Sequence, residues 1–80
     1  MERTDVLSQV QEVFRTVLKN EALVLTDEMT AEDVPGWDSL THVVLISEIE
    51  KHFGIRFSIR EMLSWKTVGK MVDCIEKKVS

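Results

Sequence analysis

The sequence predicts an all-α protein: a small four-helix bundle with three main helices and a short third helix. Three observations carry this. Apolar residues recur at helical spacing in three long segments. Start and stop residues flank the segments: Asp38 before the second, Gly54 after it, Ser58 before the short one and Thr67 before the last. The β-branched run from Val43 to Ile46 could pass for a strand, but its neighbours at helical spacing place it in a helix.

The first helix is expected over residues 4–19. Val6, Leu7, Val10, Val13, Phe14, Val17 and Leu18 form one broad apolar stripe there. Residues 20–37 show no sustained period and contain the turn signal Pro35-Gly36. A loop this long is usually functional or disordered. Leu23, Val24, Leu25, Met29 and Val34 are expected to pin it to the core. The second helix is expected over 39–53, with Gly54 as its C′ residue. Ser58-Ile59-Arg60-Glu61 is a capping-box pattern opening the short helix, with Ile59, Met62 and Leu63 facing inward. Thr67 caps the last helix, whose inner stripe is Val68, Met71, Val72, Ile75 and Val79. The core is expected to rest on Phe14, Leu45, Ile49, Phe53, Val72 and Ile75.

Composition narrows the function classes. Eighty residues with 44% hydrophobic content suit a single domain, residues 1–80, with a modest core. The lone Cys74 excludes an internal disulfide, so the core has to suffice without one. No run of membrane length and no signal-peptide pattern is present, which predicts a cytoplasmic protein without membrane insertion. A net charge of −4 argues against nucleic acid and anionic membrane surfaces as partners. The charge is uneven. Glu21, Asp27, Glu28, Glu32, Asp33 and Asp38 lie in a stretch without Lys or Arg, whereas the chain from Ser58 onward is net basic. Partners with basic surfaces would suit the acidic stretch.

Ser39 follows that stretch, in Gly36-Trp37-Asp38-Ser39-Leu40. With Asp38 as N-cap, Ser39 falls in the first helical turn. A hydroxyl there is exposed, and the helix dipole favours an anionic group attached to it. By itself, however, Asp-Ser is also an ordinary helix start.

The second helix has two apolar faces. His42, Leu45, Ile46, Ile49 and Phe53 project to one side. Leu40, Val43 and Val44, with Ser47, project to the other. A small bundle buries one broad face, so the second stripe is either a docking surface beside Ser39 or is covered by the flanking loop.

Other chemistries have weaker support. Ser39 and His42 are spaced for a Ser–His dyad, but no nucleophile-elbow motif surrounds the serine. A buried, hydrogen-bonded His42 is the expectation, with no catalytic residues. One Cys and two His without ligand spacing predict no metal site. Cys74, off the inner stripe, is expected to be partly exposed. Trp37 and Trp65 read as packing residues, with a docking-rim role open for Trp37.

The chain resembles the acyl carrier proteins of bacterial type. Asp38-Ser39-Leu40 matches their signature at the start of the second helix. Phe53-Gly54-Ile55 is similar to their helix-two exit, and Thr67-Val68-Gly69 to their opening of the last helix. The resemblance covers nearly the whole chain. It implies a four-helix carrier rather than an enzyme. A phosphopantetheinyl transferase would attach 4′-phosphopantetheine from coenzyme A to Ser39, and the arm's thiol would hold acyl or aminoacyl groups as thioesters. Asp38 would support transferase recognition. Leu40, Val43, Val44, Ser47, Glu50 and Lys51 would take the partner-docking positions. The implied partners are the transferase, an acyl- or aminoacyl-loading enzyme and downstream acyltransferases or synthases. A monomer is expected.

The departures point to a pathway class. Thr41, Val44 and Lys51 stand where carriers of general fatty acid synthesis commonly have acids. The resemblance therefore implies a discrete carrier of a dedicated pathway, such as polyketide, peptide or surface-glycan tailoring. Trp37-Asp38 does not match the Gly-Gly-x-Ser approach common in peptidyl carriers. The aminoacyl or peptidyl carrier and an unmodified helical docking module remain the alternatives.

Overall fold

The computed structural model describes residues 2–79. Among these it contains four helices: α1 (Arg3–Leu18), α2 (Ser39–Phe53), α3 (Ile59–Leu63) and α4 (Val68–Val79). None is long and apolar enough to cross a membrane. α1 packs against both α2 and α4. The four elements and their order agree with the expectation from periodicity and caps.

The apolar stripes meet in one contiguous core. Val6, Val10 and Phe14 of α1, Leu45 and Ile49 of α2, and Val68, Met71, Val72 and Ile75 of α4 are completely buried. Each such side chain contributes roughly 1.5–3 kcal/mol by leaving water. Phe53, expected in this set, is only half-buried and packs on the core margin, edge-on to His52. It is the last residue of α2, where the chain turns away through Gly54 in the left-handed region (φ 67°).

Local chemistry explains the short helix. The Ser58 N–H donates to Glu61 Oε1 at 2.8 Å, and the Glu61 N–H donates to Ser58 Oγ at 3.2 Å. The Ser58 N–H foremost, followed by Lys78, holds the pKa of the Glu61 carboxyl down at about 2. The expected inward set is corrected at two positions. Ile59 and Leu63 are 74% and 78% exposed, and only Met62 packs on the core. A five-residue helix makes about one and a half turns and offers one narrow inner face. Phe57 and Trp65, just outside its ends, occupy the core positions instead.

The long loop is tied down at several points. Leu23, Leu25 and Val34 are buried and Met29 packs on the core, but Val24 is exposed. The non-helical Leu23-Val24-Leu25 segment alternates in its exposure, which turns Val24 outward. Its backbone is held by α1: Arg15 Nε donates to Leu23 O at 2.7 Å, and Leu25 N–H donates to Gln11 Oε1 at 2.9 Å. Further on, the loop satisfies the start of α4. Val68 N–H donates to Met29 O at 2.9 Å and Gly69 N–H to Asp27 O at 3.0 Å. These are helix-start donors that have no partner within the helix. Thr67 Oγ1 accepts from Lys70 N–H at 3.2 Å, as its capping role requires. Arg3 ties the arrangement together, pairing with Asp27 at 3.2 Å and with Asp73.

Candidate functional site around Ser39

Gly36 takes a left-handed conformation (φ 86°), and the chain then enters α2. Asp38 is extended, and its Oδ1 accepts from the N–H groups of Leu40 (2.9 Å) and Thr41 (3.0 Å). These bonds, the one from Thr41 foremost, hold the Asp38 carboxyl below its ordinary value. Thr41 closes the capping box: its Oγ1 accepts from Asp38 N–H at 2.8 Å and donates to Gly36 O at 2.7 Å. The sequence reading missed Thr41, because the usual capping box has Glu or Gln at this position. The signal was present as a hydroxyl three residues after the N-cap.

Asp38 and Thr41 thus complete the cap without Ser39. Ser39 lies exposed in the first turn of α2. It borders an open cleft of about 330 Å³ lined also by Trp37, His42, Trp65 and Lys66.

Aromatic rings form the inner wall of this region. Trp37 is buried, which makes it a packing residue rather than a docking rim. It meets Phe14 edge-on with centroids 5.0 Å apart and stacks on His42 at 5.9 Å. His42 meets Trp65 edge-on, and Trp65 meets Phe57 in the same way. Trp37 Nε1 donates to His42 Nδ1 at 3.0 Å. An indole nitrogen can only donate, so Nδ1 is the acceptor and the ring is neutral, with its proton on Nε2. Burial pushes the His42 pKa down, in the same sense. His42 is half-buried, less enclosed than expected, and hydrogen-bonded as expected. This tautomer has no free lone pair to act as a base toward Ser39, which removes the physical basis of a Ser39–His42 dyad.

The predicted docking residues do not all share one environment. Leu40 and Val43 are 80% and 65% exposed, and Val44 is 48% exposed. Ser47 and Lys51 are exposed on the same side, with Lys51 Nζ 3.8 Å from Glu48. The loop therefore leaves the second apolar face of α2 uncovered. Glu50 departs from the group: it is half-buried, and its Oε2 accepts from Phe57 N–H at 2.9 Å. Its carboxylate braces the α2–α3 connection. Cys74 is half-buried, with Sγ 3.4 Å from Glu61 Oε2; burial first, and then that carboxylate, push the thiol up. It is therefore no activated thiolate.

A family model described as the phosphopantetheine attachment site matches residues 8–75. The chain belongs to the acyl carrier protein family. It is 31% identical over 77 residues to the acyl carrier protein of Thermotoga maritima, covering 96% of this chain and 95% of that protein. The solution structure of holo acyl carrier protein from Geobacter metallireducens superposes with a TM-score of 0.87 at 38% identity, covering 92% of this chain and 85% of that one. The prosthetic group of an acyl carrier protein is covalent 4′-phosphopantetheine. The residues present fit such a group: an exposed first-turn hydroxyl, left out of the Asp38–Thr41 cap, at the positive end of the α2 dipole.

Proposed function

We propose that this chain is a non-catalytic carrier that takes its phosphopantetheine arm on Ser39 and serves a dedicated biosynthetic pathway. The observation that carries the proposal is the Asp38–Thr41 cap, which holds the start of α2 in place and leaves the Ser39 hydroxyl exposed and free to be modified. In the loading step Ser39 Oγ loses its proton to the transferase and bonds to the pantetheine-side phosphorus of coenzyme A. The phosphoanhydride bond breaks, and adenosine 3′,5′-bisphosphate leaves. Once attached, the arm's terminal thiol supplies the thioester that holds an acyl group.

Leu40, Val43 and Val44 then form the core of the partner-docking face, with Ser47 and Lys51 on the same side and Asp38 at its upper edge. A flexible tether keeps the thioester at high effective concentration near a docked enzyme. The partners are a phosphopantetheinyl transferase, a loading enzyme and the acyltransferases or synthases that follow. The apolar character of this face favours a discrete carrier of polyketide, peptide or surface-glycan tailoring over general fatty acid synthesis. We place the carrier in the cytoplasm as a monomeric single domain.

The test is incubation of the protein with coenzyme A and a broad-specificity transferase, followed by intact mass and peptide mapping. A single arm on Ser39, absent from Ser39→Ala of unchanged helicity, is the expected result. An unmodified protein would favour a docking module, and an arm on another serine would move the site.

A further inference from the structure

The short helix α3 carries a surface that attachment of an arm does not require. By helical period Ile59, Leu63 and Arg60 lie on one continuous outer arc, while Met62 packs on the core and Glu61 reaches Lys78 of α4. Ile59 and Leu63 are 74% and 78% exposed. Arg60 is exposed beside them, as is Arg56 just ahead of the Ser58 cap. Among the described residues neither arginine makes an ion pair. The acids closest to them in the chain are engaged elsewhere. Glu50 accepts from Phe57 N–H, and Glu61 accepts from Ser58 N–H and pairs with Lys78 at 3.1 Å. Two apolar side chains and two uncompensated guanidiniums therefore face solvent together.

We propose that the outer face of α3 is a second docking surface, for a partner enzyme that presents an apolar hollow rimmed by carboxylates. The proposal rests on the carrier reading, because its partner is an enzyme that acts on the arm's thioester. Charge complementarity selects the occupant. A guanidinium binds a carboxylate through two parallel hydrogen bonds, and its stem covers apolar surface, so arginines beside Ile59 and Leu63 suit such a rim. The sign is the reverse of that at the acidic stretch before Ser39, whose partners would be basic. A shallow cleft of about 290 Å³, lined by Ser47, Lys51, Ile55 and Arg56 among others, joins this face to the outer side of α2. One partner can thus span both helices. A protein fits better than an anionic bilayer. The net charge of −4 is repelled by a charged sheet as a whole, whereas a protein partner meets the patch alone.

The experiment uses the full holo chain, with loading verified by intact mass. The probes are the enzyme that acylates the arm's thiol and the enzyme that next takes the acyl group, each purified from the native host by its activity on the wild-type carrier. KM and kcat for the carrier are compared among wild type, Arg56→Glu/Arg60→Glu, Arg56→Gln/Arg60→Gln and Leu63→Asp. With at least one enzyme, the double reversal should raise KM roughly tenfold or more, because it sets like charges against each other. The glutamine pair should raise it less, Leu63→Asp should also raise it, and kcat and helicity should stay unchanged. A KM unmoved or lowered by the double reversal with both enzymes, or unmoved by Leu63→Asp, would overturn the proposal. In that case, binding to phosphatidylglycerol vesicles or self-association that the reversal abolishes would assign the face to a bilayer or to a second copy. Failure to load Ser39, visible in the mass before any rate is measured, would overturn the carrier reading and this proposal together.

Discussion

The indole N–H of Trp37 donates to Nδ1 of His42 at 3.0 Å, across two stacked rings on the inner wall of the cleft at Ser39. The bond links the end of the long loop to α2. It exists only while His42 is neutral, which gives the fold a pH dependence of definite sign. Burial lowers the folded-state pKa of His42 from its ordinary 6.5. The unfolded chain therefore binds the proton more readily, and stability rises with pH in that window. The His42 contribution should be complete above the ordinary value and disappear as pH falls through the lower folded one. Thermal unfolding of wild type and His42→Phe between pH 8 and about 5 tests this. Wild type should lose more stability on acidification than the variant, and parallel curves would refute the linkage.

Thr41→Val should weaken the start of α2. It removes the acceptor for Asp38 N–H and the donor to Gly36 O while keeping side-chain volume. The expected cost is about 1 kcal/mol, typical of a lost cap. Urea unfolding at constant slope provides the measurement. An unchanged midpoint would mean that Asp38 caps the helix alone.

Gly69→Ala sets two effects against each other. Alanine gains about 1 kcal/mol over glycine in a helix interior. Its Cβ, however, would lie 3.0 Å from Asp27 O, a backbone atom that accepts from Gly69 N–H in a loop segment tied to Arg3. The two nearest atoms, Asp27 O at 3.0 Å and Asp27 Cβ at 3.2 Å, are not flexible side-chain tips, so the steric cost should win and the protein should unfold at lower urea. A higher midpoint would show that the loop moves aside freely.

Val44→Asp should impair transfer to a cognate enzyme without altering the fold. Val44 is 48% exposed between Leu40 and Ser47 on the uncovered face of α2. An unpaired polar group in a desolvated contact costs about 1–3 kcal/mol. Transfer rates measured across a salt series should show a large mutant effect and, for wild type, a shallow salt dependence. Equal rates at equal thermal stability would move docking to the exposed Ile59 and Leu63 of α3.

What could be read from the chain alone is what depends on near neighbours. The bounds of α2 follow from Asp38 and Gly54, because caps act within three or four residues. The inner stripe of α4 and the two faces of α2 follow from the helical period. Ser39 stood out for the same reason: its exposure is a property of the first turn. Tertiary structure decided the rest, wherever a group's partner lies far along the chain or in a non-helical segment. Glu50 lies by period next to Val43 toward the outer face of α2, yet its carboxylate is held by Phe57 N–H beyond the end of α2. Ile59 and Leu63 look like core by composition, but Phe57 and Trp65 reach the interior first. The start of α4 is satisfied by Met29 O and Asp27 O, about forty residues upstream. The hydrogen bond and stacking between Trp37 and His42, and the cleft that brings them together with Trp65, Lys66 and Ser39, exist only because the loop and the α3–α4 connection pack around the first turn of α2. No local pattern encodes that meeting, since it is set by how the helices pack on their common core.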